Sequence, residues 1–189
     1  MYPNNLKIET RRLILRPLEI EDFEGWAKLM EDEASSHFLD GPQPRAVAWR
    51  SFMVMAGAWA LQGYAMFSVI EKSSGRWIGR VGPWCPEGWP GKEIGWAFVR
   101  DAWGRGYATE GAIAAADWAF SNLKWSEMIH VIAPDNLASQ AVARRLGSEK
   151  IGPGRFPEPR QDEPVEIWGQ SREEWLRRRK TTAMNFIHE

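Results

Sequence analysis

The sequence predicts one α+β domain built on a mixed sheet, and three observations carry that expectation. The chain has 189 residues, a length that a single core serves well. Its hydrophobic period switches repeatedly between two and about 3.6 residues, in the order β-α-α-β-β-β-α-β-α-β. No repeat, low-complexity tract or linker interrupts that alternation, so strands and helices belong to one body. A further strand or helix closes the chain. The domain is taken as residues 1–189 with a core at about 9–178, which leaves room for disorder only in the C-terminal tail.

The elements follow from local patterns. "RRLILRPL" (Arg11–Leu18) is short and branched, and Pro17 ends it as a strand. "EIEDFEGWAKLM" carries Ile20, Phe23, Ala27 and Met30 at helical spacing, with acids crowding the positive end of the helix dipole. "EASSHFLDGPQP" reads as a loop. A second helix follows, with Trp49, Phe52, Met53, Ala56 and Ala60 placed on one side. "AMFSVIE", "KSSG" and "RWIGRVG" make a strand, a turn and a partner strand. "PWCPEGWPGK" (Pro83–Lys92) is a loop, and "EIGWAFV" (Glu93–Val99) a strand. A helix to about Phe120, the strand "MIHVIA", and the helix "DNLASQAVARRLG" stopped by Gly147 come next. "EPVEIW" is a late strand, and "REEWLRRRK" a closing helix or a charged end.

Composition bounds the function. A net charge of −1 sets up no global basic field, which argues against nucleic acid as a partner. No apolar run spans a bilayer, and the first eighteen residues lack a signal-peptide core, so no membrane partner is expected. One cysteine, Cys85, precludes an internal disulfide and fits a cytoplasmic protein. The three histidines, His37, His130 and His188, have no metal-ligand spacing, so no metal is expected. Twelve tryptophans must divide between core and pocket, and an exposed one would suit a homodimer contact.

"DAWGRGYATEGAIAAADWAF" (Asp101–Phe120) sets Gly-Arg-Gly at the mouth of a helix. The first helical turn leaves backbone N–H groups unpartnered at a positive end, and glycine lets an anion approach them. Arg105 adds charge. A tight turn with nothing bound is the plain alternative. Two other phosphate loops fit poorly: there is no Gly-Lys-Ser/Thr, and Thr109 stands where a dinucleotide fold places its third glycine.

"EIGWAFVRDAWGRGYATEGA" resembles the acyl-CoA-binding segment of the GNAT (GCN5-related) N-acetyltransferases. "VIAPDNLASQAVARRLG" is similar to that family's following strand and helix, and "ETRRLILRPLEIEDFEGW" to the opening of its ribosomal-protein-N-terminal-acetyltransferase-like branch. The three segments occur in family order across roughly Glu9–Trp175. The resemblance implies a mostly antiparallel central sheet flanked by helices, with an acyl-CoA cleft between two central strands. It implies acetyl-CoA as cosubstrate, cradled by backbone N–H groups from Trp103, Gly104, Arg105, Gly106, Tyr107, Ala108 and Thr109. Trp103 stands where the family places Gln or Arg. The resemblance also sets the backbone of Phe98 and Val99 along the pantetheine arm, and Asn136 near it. Asn136 equally suits a helix N-cap. Arg144 suits either a CoA phosphate or the helix dipole.

Acetyl transfer to an amine needs a base, a stabilised oxyanion and a proton for the leaving thiolate. Glu93 is the candidate base, sharing a strand face with the small Gly95 and Ala97. Otherwise it is a strand-start carboxylate in solvent or paired with Lys92 or Arg80. Many family members carry a tyrosine seven residues after the asparagine; that position is Ala143, which leaves Ser139 as the candidate near sulfur. His37 and Trp84 are candidates for the acceptor site, and Cys85 and Trp89 for its mouth. Three readings stay open: an acetyltransferase acting on a protein N-terminus or small amine, a non-catalytic acyl-CoA-binding module, and a nucleotide-binding protein.

Overall fold

The computed structural model describes residues 6–185. The strand order is β1 (Ile8–Glu9), β2 (Leu13–Arg16), β3 (Phe67–Glu71), β4 (Trp77–Trp84), β5 (Glu93–Phe98), β6 (Glu127–Ile132), β8 (Val165–Ser171), β7 (Glu149–Gly154). β5 and β6 pair in parallel, while β1–β2, β2–β3, β3–β4, β6–β8 and β7–β8 pair antiparallel, which is the mixed, mostly antiparallel sheet expected. Six α-helices accompany it among the described residues. By contacts the chain divides into two units, neither contiguous in sequence.

The first unit comprises the described residues up to Trp84 together with Ile94–Ala116. It holds β1 (Ile8–Glu9), β2 (Leu13–Arg16), α1 (Phe23–Glu31), α2 (Glu33–Ser36), α3 (Arg45–Gln62), β3 (Phe67–Glu71) and β4 (Trp77–Trp84). It also holds most of β5 (Glu93–Phe98) and the first turns of α4 (Tyr107–Asn122). Leu13, Leu15, Phe67, Val69, Ile78 and Val81 are fully buried along β2–β4. Trp26 and Trp59 are buried with them, each indole N–H matched, to Ser51 Oγ and the Met66 carbonyl. Asp22 is buried beneath α1 but well satisfied. It accepts two bonds from the Arg16 guanidinium, one from the Glu19 N–H and one from Ser68 Oγ. A buried carboxylate is tolerated when paired and hydrogen-bonded in this way.

The buried face of α3 differs from the sequence expectation. Ala48, Phe52, Met55, Ala58 and Trp59 face inward, whereas Trp49 and Met53 are exposed. The reason is composition. This helix has no acid and is apolar on all sides, so its periodicity does not choose a face.

The second unit comprises Cys85–Glu93 and the described residues from Asp117 on. Its elements are β6 (Glu127–Ile132), α5 (Leu137–Leu146), β7 (Glu149–Gly154), β8 (Val165–Ser171) and α6 (Arg172–Asn185). Glu93 stands opposite Ile129 in the parallel pairing, and the Ile129 N–H donates to the Lys92 carbonyl. β7 was missed by sequence reading. It contains Gly152, Pro153 and Gly154, which an edge strand accommodates because its outer groups need no ladder partner. The charged end is a helix: α6 buries Trp175, whose indole donates to Asp117. His130 is buried against Ser148 Oγ at 2.9 Å, the structural role its alternation suggests. His188 lies outside the described residues.

One ion pair fixes the start of α4. Glu110 accepts from Thr10 Oγ1 at 2.6 Å, from the Arg12 N–H at 2.9 Å and from Arg12 Nε at 2.7 Å. Burial opposes ionisation there, but these donors outweigh it and hold the carboxyl below its usual range. A lowered folded-state pKa adds stability above the ordinary carboxylate pKa, and that stability is lost as pH falls through the folded value. Glu110→Gln is expected to cost about 1–2 kcal/mol at pH 7, reduced by the partial exposure of the pair. The difference in Tm between the two proteins should shrink below about pH 4.5, which thermal denaturation at pH 7 and pH 4 checks.

Candidate active site

The candidate residues divide between the units. The glycine turn, Phe98, Val99, Trp84 and His37 belong to the first; Glu93, Asn136, Ser139 and Arg144 belong to the second.

In the first unit, β5 ends in a short 3-10 turn (Arg100–Ala102) that leads into Trp103-Gly104-Arg105-Gly106. Gly104 and Gly106 have φ of +70° and +78°, a left-handed backbone that other residues adopt at a cost. A Cβ on Gly104 would meet nothing within 4 Å, and one on Gly106 only the Arg12 guanidinium at 3.5 Å. The helix ladder begins with the Glu110 N–H on the Gly106 carbonyl, so the N–H groups of Tyr107, Ala108 and Thr109 precede the first intrahelical bond. Those N–H groups, the positive end of a sixteen-residue helix and an open glycine backbone fit an anion such as a pyrophosphate.

The side chains of this turn have other partners. Arg105 reaches Glu71 at 3.2 Å and lies over the Tyr107 ring, so its charge is matched within the protein. Tyr107 is buried and donates its hydroxyl to Glu71, which raises the phenol pKa. The Tyr107 side chain is thus taken up within the protein, and its backbone N–H stands in the first turn of α4. The Glu71 carboxyl is held low by hydrogen bonds from Ser74 and Tyr107. Arg12 spans the turn, donating to the Arg105 carbonyl at 2.9 Å while its ring-facing guanidinium covers Tyr107. Sequence reading missed this Arg12–Glu71–Glu110 frame, since its members lie up to 98 residues apart.

The end of β5 is tied down by its own neighbours. The Val99 N–H donates to the Ile78 carbonyl at 3.0 Å, and its carbonyl accepts from Ala102 at 3.0 Å. The Phe98 carbonyl accepts from the exposed Trp103 indole at 2.8 Å. The chain curls into the 3-10 turn after Val99, so the Val99 backbone groups and the Phe98 carbonyl each have a partner within the protein. His37 is exposed at the end of α2, edge-on to Phe38. Trp84 closes β4, half-buried.

In the second unit, Glu93 is buried, 7 % exposed, rather than standing in solvent. Its Oε2 accepts the Trp89 indole N–H at 2.7 Å, and its Oε1 faces the Val131 N–H at 3.3 Å. Both oxygens are thus directed by fixed donors. Asn136 caps α5, accepting the Ser139 N–H at 3.0 Å, as the capping role requires. Ser139 sits half-buried in the first turn. Arg144, in the last turn of α5, donates to Gln140 at 3.2 Å and lies over the Trp168 ring. Ala143 is fully buried, which leaves no room for a tyrosine at that position without repacking.

Cys85 is half-buried, and burial pushes its thiol above the usual range. Cys85→Ala should keep full turnover, and the native thiol should react slowly with a disulfide reagent at pH 7. Loss of turnover in that variant would instead give Cys85 a part in the chemistry. Among the described residues no group of histidines, cysteines and carboxylates could hold a metal ion, and no helix is long and apolar enough to cross a membrane.

The first unit thus offers a glycine turn feeding α4, and the second a buried carboxylate at Glu93 and an asparagine-capped helix, α5. The sequence profile of the acetyltransferase (GNAT) domain matches residues 12–149, and the chain belongs to that family. It is similar to the Bacillus subtilis protein YkkB, 36% identical over 45% of this chain, where it spans about half (51%) of the relative. It is also similar to an N-acetyltransferase named p20 from Bacillus licheniformis, 28% identical over 76% of this chain and 82% of that one. Among solved structures, an acetyltransferase from Agrobacterium tumefaciens is 30% identical, with a TM-score of 0.78 over 91% of this chain and 98% of that one. Ribosomal-protein-S5-alanine acetyltransferase from Vibrio fischeri shares the fold at 16% identity, with a TM-score of 0.68 over 90% and 99%. The family transfers acetyl groups and uses acetyl-CoA as cosubstrate.

Proposed function

We propose that this protein moves the acetyl group of acetyl-CoA onto a primary amine, either a protein N-terminus or a small molecule, with Glu93 as base. The observation that carries the reading is the Glu93 carboxylate: buried, held at both oxygens, and adjacent in sequence to the loop expected to line the acceptor site. Acetyl-CoA supplies a thioester whose carbonyl carbon an amine attacks directly. Glu93 takes the proton that the amine must lose, by contact or through one water. The N–H groups of Tyr107, Ala108 and Thr109 hold the pyrophosphate, and their dipole favours its charge. When the carbon–sulfur bond breaks, the thiolate accepts a hydrogen bond or a relayed proton from Ser139, with no covalent enzyme intermediate. The reading sets the reaction in the cytoplasm, where a lone thiol stays reduced.

A second reading, an acyl-CoA-binding module without catalysis, draws on the buried Ala143 in place of the family's tyrosine. One experiment separates them. The purified chain is mixed with acetyl-CoA and a panel of amines and N-terminal peptides, and free CoA thiol and acetylated product are both followed. Stoichiometric thiol and product with at least one acceptor supports catalysis. Tight acetyl-CoA binding with no turnover across the panel supports the module.

A further inference from the structure

We propose that Trp89 is a positioning residue for Glu93, and that the loop between β7 and β8 sets it through Phe156. The inference rests on Glu93 acting as the base and names what keeps that base in place.

A carboxylate on a strand still has two side-chain torsions to fix after its backbone is placed. A base that must meet an amine within hydrogen-bond reach gains from having them fixed. Here the two carboxylate oxygens are held from different sides. The Val131 N–H, a backbone donor of β6, faces Oε1. The Trp89 indole N–H, a side-chain donor from the loop before β5, faces Oε2 at 2.7 Å. The backbone donor is available whatever the sequence. The indole is the part this chain contributes by residue choice, four positions before Glu93.

The indole itself is braced. Its ring meets Phe156 with centroids 5.2 Å apart and planes tilted by 46°, an aromatic pairing geometry. The Arg160 guanidinium covers Phe156 at 4.3 Å and is tied to Glu163 by two bonds. Pro157 packs near Gly88 of the Trp89 loop, where a Cβ would come within 3.3 Å. The chain Glu163–Arg160–Phe156–Trp89–Glu93 therefore runs from a surface loop to the buried carboxylate, wholly within the second unit. Charged and titratable groups beside it include Glu87, Lys92 and Cys85 from the Trp89 loop, and Arg160 and Glu163 from the β7–β8 loop.

An indole N–H has one donor and no acceptor, so it stabilises the charged carboxylate and not the neutral acid's proton. Trp89→Phe keeps an aromatic ring beside Phe156 and removes the N–H donor, at the cost of a smaller ring whose packing loss is followed by Tm. Its turnover number is expected to fall about tenfold, the usual weight of one hydrogen bond to a charge. The KM for acetyl-CoA should stay within about twofold, because the proposal gives cosubstrate binding to the glycine turn and gives Trp89 only the orientation of Glu93. The acid limb of the pH–rate profile should move to higher pH, since one donor to the carboxylate form is gone. Phe156→Leu keeps the donor but loosens its brace, and should give a smaller drop in the same direction.

The test measures kcat, KM and the pH profile for wild type, Trp89→Phe, Phe156→Leu and Glu93→Gln, with Tm for each. A fall in kcat with an acid limb displaced upward in Trp89→Phe supports positioning. Trp89→Phe with wild-type kcat and an unmoved limb, beside a Glu93→Gln protein that is inactive, overturns the role of Trp89 and leaves the base intact. Full activity in Glu93→Gln overturns the base itself. Should Trp89→Phe not fold, Phe156→Leu with a wild-type profile overturns the coupling to the β7–β8 loop.

Discussion

Glu93→Gln is expected to lower turnover by about 10²–10⁴ while leaving acetyl-CoA affinity within about twofold. Glutamine matches the carboxylate in size and keeps one acceptor, but it takes no proton. It also turns an amide NH₂ toward either the Trp89 indole or the Val131 N–H, both of which are donors. That mismatch costs about 1–3 kcal/mol of stability. The fold is therefore checked by Tm, and kcat is measured at saturating substrate well below the midpoint. The separation of the two effects is the point: loss of the chemical step without loss of cosubstrate binding places Glu93 at proton transfer. A parallel loss of acetyl-CoA binding would instead make Glu93 part of the scaffold.

The second large effect is at the glycine turn. Gly106→Trp is expected to weaken acetyl-CoA by about 100-fold, roughly 2.7 kcal/mol. Two causes act together. The backbone at φ +78° disfavours any side chain, at about 1–2 kcal/mol. The indole also occupies the space through which a phosphate reaches the N–H groups of the first turn. Gly104→Ala is the graded companion. It shares the left-handed backbone, but its Cβ meets nothing within 4 Å, so a smaller loss is expected. Titration calorimetry of the two variants checks the order. Equal, unchanged affinity in both would remove this turn from the site.

How far these effects were legible in the sequence varies by residue. The glycine turn was readable because its requirement is local: two glycines at a helix mouth state a backbone geometry without reference to the rest of the chain. The Asn136 cap was readable for the same reason, since its bond closes within four consecutive residues, Asn136 to Ser139. Glu93 was singled out by type and position, but those gave no sign of its burial. That depends on Val131, 38 residues on, and on a loop tryptophan that first suggested only a pocket wall. The Arg12–Glu110 pair left no signal, because a surface-type arginine and glutamate look alike wherever they pair. The buried face of α3 was misplaced where the helix is apolar on every side. Edge strand β7 was missed where glycine and proline read as a loop, while the edge of a sheet tolerates both. In each case the missing information is the tertiary neighbour.

The measurement that tests the central claim most directly is thermal stability with acetyl-CoA, beside ATP and NAD at equal concentration. A ligand that binds only the folded state at 100 times its dissociation constant adds about 2.7 kcal/mol, or roughly 5–10 °C at this size. The account predicts a shift of that order with acetyl-CoA, none with NAD, and loss of the shift in Gly106→Trp. No shift with acetyl-CoA, or a shift with ATP alone, would contradict it.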